Sequence, residues 1–144
     1  MKRRAFLAAF ALAPLARAED APGNGWWQEI ARLAGARTPR PGRVRLEIPE
    51  NAENGNSVAL TVSVDGPMLG PARVTKIHLV SELNPYARMA TFRFGPGQRR
   101  AQVVTRVKLA GTQRVHALAE LADGSIWSDS RFVNVAFAAC LEGS

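Results

Sequence analysis

A single cysteine, Cys140, stands in 144 residues, so no internal disulfide can staple this chain. The sequence also lacks a CxxC pair, an HExxH helix and a glycine-rich phosphate loop, which leaves thioredoxin-like exchange, zincin hydrolysis and P-loop nucleotide chemistry without their signatures. Its two histidines, His78 and His116, have no second histidine or cysteine at ligand spacing, so no metal site and no cofactor is expected. No apolar run reaches the 18 or so residues of a membrane span. What is present is ordinary for a folded domain: 47% hydrophobic and 22% charged residues, too apolar for disorder to be the default.

The N-terminus reads as an export signal. Lys2, Arg3 and Arg4 form a basic start, Phe6 to Leu15 an apolar stretch too short to span a bilayer, and Ala16-Arg17-Ala18 a small-residue cleavage pattern. Arg3-Arg4-Ala5-Phe6-Leu7 resembles the twin-arginine address, so the expectation is a signal over residues 1–18 and a periplasmic destination. Removing it takes away four of the 19 basic residues (Lys2, Arg3, Arg4 and Arg17) and none of the 12 acidic ones, which reduces the net charge from +7 to +3. That residual charge calls for no nucleic-acid partner, and removal of the signal leaves no membrane anchor.

After a lead-in at residues 19–25, Trp26 to Ala36 reads as a short helix with Asn24 as its cap. Trp26, Ile30 and Leu33 fall on one face, expected to plug one end of a sandwich or, alternatively, to face a partner. Thr38-Pro39-Arg40-Pro41-Gly42 ends the helix. Seven strands follow: 44–48, 57–65, 72–80, 88–94, 101–109, 113–121 and 132–137. Val58, Leu60, Val62 and Val64 alternate with Ala59, Thr61 and Ser63, and Val115, Ala117, Ala119 and Leu121 with Arg114, His116 and Glu120. Such period-two patterning implies antiparallel sheets with one buried and one wet face, which puts both histidines on solvent faces. Asn54-Gly55, Gly66-Pro67, Asn84-Pro85, Gly95-Pro96-Gly97 and Asp123-Gly124 supply the turns. Seven strands at this spacing predict an all-β, immunoglobulin-like antiparallel β-sandwich over residues 26–137, with a small barrel as the alternative.

Residues 138–144 then form an arm that carries Cys140. An odd cysteine in an exported chain points to intermolecular pairing or a reactive thiol, although a buried structural cysteine is the plain alternative. Val133, Val135 and Phe137 are expected to point inward and moor the last strand. A thiol enzyme would need a base and an orienting group beside Cys140, and nothing in the sequence demands them. A tail is better suited to presenting a group to another protein's active site. Tyr86 and Trp127 are weak candidates for partner contact.

A family resemblance runs through the same residues. Glu53-Asn54-Gly55, Val62-Ser63-Val64-Asp65-Gly66-Pro67-Met68, Lys76-Ile77-His78-Leu79 and Ala90-Thr91-Phe92-Arg93-Phe94 resemble SoxY, the carrier subunit of bacterial thiosulfate oxidation. So do Leu109-Ala110-Gly111-Thr112-Gln113-Arg114-Val115, Ala117-Leu118-Ala119-Glu120 and Asp123-Gly124-Ser125. The resemblance implies an immunoglobulin-like subunit, not itself an enzyme. It would pair with a SoxZ-like chain as a heterodimer and carry sulfur covalently on Cys140 between Sox-type periplasmic enzymes. The arm departs from the family's Gly-Gly-Cys-Gly-Gly: Ala138 and Ala139 precede the cysteine, and Leu141 and Glu142 follow. Alanine restricts the backbone that glycine leaves free, so a stiffer and bulkier arm is expected. The alternative is a scaffold paralogue that pairs with a SoxZ-like chain but carries nothing.

Overall fold

A computed structural model describes residues 24–141. The signal expected over 1–18, most of the lead-in, and Glu142 onward lie outside the described residues. Among the described residues there are one α-helix, α1 (Trp26–Ala34), and nine strands: β1 (Arg40–Pro41), β2 (Val44–Glu47), β3 (Asn51–Asn54), β4 (Val58–Val64), β5 (Val74–Ser81), β6 (Arg88–Arg93), β7 (Ala101–Val107), β8 (Gln113–Leu121) and β9 (Ile126–Phe137). A 3₁₀ turn, Gly70–Ala72, stands where the sequence suggested the start of β5.

The strands form two sheets, one in the order β1-β9-β8-β5-β6 with β3 also on β9, the other in the order β2-β4-β7. The alternation read from the sequence does what period two requires. Leu46, Val58, Leu60, Val62 and Val103 of the small sheet meet Ile77, Leu79, Val115, Ala117 and Val133 of the large one in a single core. Each such valine or leucine contributes about 1.5–3 kcal/mol on full burial. The architecture is the expected sandwich, and it is not a closed barrel.

Three expectations need correction. First, there are nine described strands instead of seven. β1 and β3 are short and polar and pair with β9 in parallel, Arg40 opposite Trp127 and Asn51 opposite Asn134. Neither carries an apolar alternation to betray it. β9 begins at Ile126, six residues early, because Ser128-Asp129-Ser130 looks like a turn but pairs with Leu118, Ala117 and His116.

Second, α1 does not plug an end of the sandwich. Trp26, Ile30, Leu33 and Ala34 lie across the outer face of the large sheet, against Val80, Ala87, Leu118 and Ile126, and build a second small core. The helix stops at Ala34, where Gly35 turns to φ 59° and ψ −126°, a positive-φ conformation open to glycine and strained for other residues. Asn24 sits one residue before the cap. Its carbonyl accepts the Trp26 N–H at 3.1 Å, and its amide donates to Ser81 O at 3.0 Å and Asn84 O at 2.6 Å, which ties the helix start to the end of β5.

Third, the histidines are not on solvent faces. Because α1 covers that side, His78 is only 4% exposed, held between Thr91 Oγ1 (2.8 Å) and Glu120 Oε2 (3.0 Å). His116 is partly buried, stacked on Trp26 at 4.9 Å between ring centroids, with Nε2 2.8 Å from Glu82 Oε1.

Candidate functional site: the C-terminal cysteine arm

The arm leaves the fold at a seam between the two sheets. The far half of β9 pairs with β3, and the turn after β3, at Asn54 to Ser57, carries the chain across to β4 in the other sheet. Gly55 sits in that turn. Its N–H donates to Phe137 O at 2.7 Å, and its carbonyl accepts the Leu109 N–H at 2.8 Å. The Ala139 N–H then donates to Leu109 O at 2.9 Å. Three separate stretches of backbone thus converge on one glycine. A Cβ there would lie 2.5 Å from Leu109 O and 2.9 Å from Ala139 N, so this position needs glycine for close approach.

Beyond that point the hold continues. The Cys140 N–H donates to Asn56 Oδ1 at 3.3 Å, and Asn56 is itself oriented by Asn54 Oδ1, which accepts from its backbone N–H and its side-chain amide. Ala138 is exposed and Ala139 is 9% exposed. Cys140 is exposed and forms no disulfide. Leu141 is partly buried and lines a groove of about 410 Å³ between β6 and β7, floored by Leu79, Met89, Phe92 and Val107 and rimmed by Arg106 and Lys108. Glu142 lies outside the described residues. Phe137, expected to point inward, is 72% exposed, while Val133 and Val135 do pack inward. The last strand is therefore moored two residues earlier than its pattern suggested, and the hydrogen bonds to Gly55 and Leu109 take over.

The surroundings of the thiol are chemically spare. Among the described residues no hydrogen bond or ion pair reaches Cys140 Sγ. Both histidines are engaged under α1, with Glu120 and Thr91 on one and Glu82 on the other. No group of three or more His, Cys, Asp or Glu among the described residues could hold a metal ion. Among the described residues, neither a base nor an orienting group of the kind a thiol enzyme needs stands beside Cys140. Of the two weak partner candidates, Tyr86 is exposed in the β5–β6 connection. Trp127 is packed against the core, with Arg40 and Arg43 guanidinium groups at 5.9 and 5.5 Å from its ring, and its indole N–H donates to Ser125 Oγ.

Comparison with known proteins decides the family. The family described as Sulfur oxidation protein SoxY matches residues 30–140. The chain belongs to the SoxY family. Among solved structures it is similar to the sulfur carrier protein SoxY from Chlorobium limicola f thiosulfatophilum, with 25% identity, 75% of this chain and 93% of that one covered, and a TM-score of 0.62. Superoxide reductase (neelaredoxin) from Ignicoccus hospitalis (19% identity, 72% and 85% covered, TM-score 0.57) and superoxide reductase from Nanoarchaeum equitans (15%, 67% and 100%, TM-score 0.55) share the fold alone. No curated protein matches the chain. The family match ends at Cys140 itself, so the departure at Leu141 and Glu142 lies just past it.

Proposed function

We propose that this chain is a sulfur carrier of thiosulfate oxidation, that Cys140 is the attachment point, and that it works in the periplasm after twin-arginine export as the partner of a SoxZ-like subunit. The observation that carries this reading is the exposed, unassisted thiol at the end of a SoxY sandwich. The C. limicola relative is itself a sulfur carrier protein.

The redox balance explains why such a thiol needs helpers. Joining Cys140 Sγ to the outer sulfur of thiosulfate makes an S–S bond, releases the thiol proton and yields two electrons. This chain has no second thiol to take them. An electron-accepting partner enzyme must receive them, so the carrier is a substrate-bearing subunit and the catalysis belongs to its partners.

Intact-mass spectrometry tests the reading. The mature chain, incubated with thiosulfate and a thiosulfate-oxidising partner enzyme, should gain the mass of one thiosulfate, return to its starting mass on reduction, and gain nothing as Cys140→Ser. The non-glycine arm, held at Ala139 and Cys140, favours the second reading, a scaffold subunit. That reading predicts a chain that binds its SoxZ-like partner yet stays free of adduct.

A further inference from the structure

We infer that the arm has a parked state in which Leu141 is the anchor and the groove between β6 and β7 is its dock. The inference rests on the carrier reading for its purpose but not for its geometry. Two observations carry it. Leu141 is partly buried and is itself part of the groove lining, over an apolar floor that includes the fully buried Leu79. The chain leading to it is fixed at Ala139 by Leu109 O and at Cys140 by Asn56 Oδ1, so Leu141 is delivered to the groove by a held backbone.

The exposed side chain of Cys140 shows what parking does. The dock holds the residues on either side of the thiol while the thiol itself faces solvent. A small reagent or a shallow site reaches it directly. A deep, narrow cleft requires Leu141 to leave the groove first. The arm thus has a presenting position and a reaching position, and one leucine side chain sets the balance between them. Partial burial of a leucine is worth roughly tenfold in such an equilibrium.

The test uses the reduced, full mature chain with no sulfur compound present. The heteronuclear NOE of the residue 139–141 amides should match that of the β-strands, and should fall in Leu141→Ala but not in Leu141→Met. Alkylation of Cys140 by iodoacetamide should be nearly equal in all three. Coupling to thiol-reactive groups recessed in a porous resin should be about tenfold faster in Leu141→Ala. A wild-type arm whose amides are already as mobile as those of Leu141→Ala, or equal resin rates, overturns the parked state. Adduct formation, measured separately by mass, fails or succeeds independently, so loss of the carrier reading and loss of the dock are distinguishable.

Discussion

Replacing Gly55 with alanine should damage the protein far more than its place in a surface turn suggests. The added methyl would stand 2.5 Å from Leu109 O, 2.9 Å from Ala139 N and 3.0 Å from Phe137 O. All three are backbone atoms, so no side chain can rotate away. Relief requires the β3–β4 turn to move off β9 and the β7–β8 connection. Such overpacking costs about 1–3 kcal/mol. The movement also strains the Gly55–Phe137, Leu109–Gly55 and Ala139–Leu109 hydrogen bonds, each worth about 0.5–1.5 kcal/mol. Alanine returns roughly 0.4–1 kcal/mol by restricting the unfolded chain. The net loss is about 2–4 kcal/mol, which for a domain of this size lowers Tm by roughly 10 °C. Thermal melting of the mature chain by circular dichroism measures this, and hydrogen exchange at the Ala139 and Cys140 amides reports the arm. Gly95→Ala is the control, because nothing lies within 4 Å of its added carbon. It should melt within about 2 °C of the wild type, since surface changes of this kind stay near ±0.5 kcal/mol. A Gly55→Ala protein that melts with the control and keeps the Ala139 amide protected would refute the convergence argument.

Trp26→Ala removes both the stack on His116 and the largest side chain of the outer core. It should cost about 2–3 kcal/mol and expose α1 amides to exchange while those of β4 and β7, on the far sheet, stay protected. Glu120 titrates below the usual carboxylate range. Burial pushes its carboxyl up, but hydrogen bonds from His78 and Arg37, with the charges of His78 and Lys76, outweigh that. A lowered folded pKa contributes stability that is present above the unfolded value of about 4.3 and lost as pH falls through the folded one. Urea midpoints of Glu120→Gln should therefore change less with pH below about 4.5 than those of the wild type, and parallel pH profiles would show that the pairing carries no such linkage.

How much of this was legible in the sequence depends on whether a residue's partner leaves a period. β4 and β8 announce themselves, since valine, leucine and alanine recur at every second position and the other face is polar. β5 was expected over 72–80 but its two-sided burial was not, because from Ile77 to Ser81 every residue is buried: Ile77 and Leu79 face the sandwich, His78 and Val80 face α1. The clue was small but present. Leu118, Val80 and Ile126 are apolar residues on a face otherwise read as wet, and together they mark the seat of the helix. β1 and β3 had no such clue, being held by parallel backbone pairing to β9. Cys140 stands out in the sequence by its singularity, and the residue is exposed. The hold on its arm was invisible, because Asn54-Gly55 reads as a turn whether or not a third strand end lies within 3 Å of the glycine.

That hold bears on how far a carried group can travel. With Leu141 released, the arm is held only by the hydrogen bonds of Ala139 to Leu109 and of Cys140 to Asn56. Breaking those two hydrogen bonds as well frees Ala138 to Cys140, an extended reach of roughly 10 Å at about 3.3–3.6 Å per residue. At about 0.5–1.5 kcal/mol per hydrogen bond, a partner's own contacts can offset that release. The next bond inward, from the Gly55 N–H to Phe137 O, belongs to the seam that joins the sheets, and breaking it starts to unfold the domain. Glycines at 138 and 139 would make the same three residues more pliant without lengthening them. The alanines present here keep the reach, reduce the backbone entropy lost on parking, and favour the docked thiol over the wandering one.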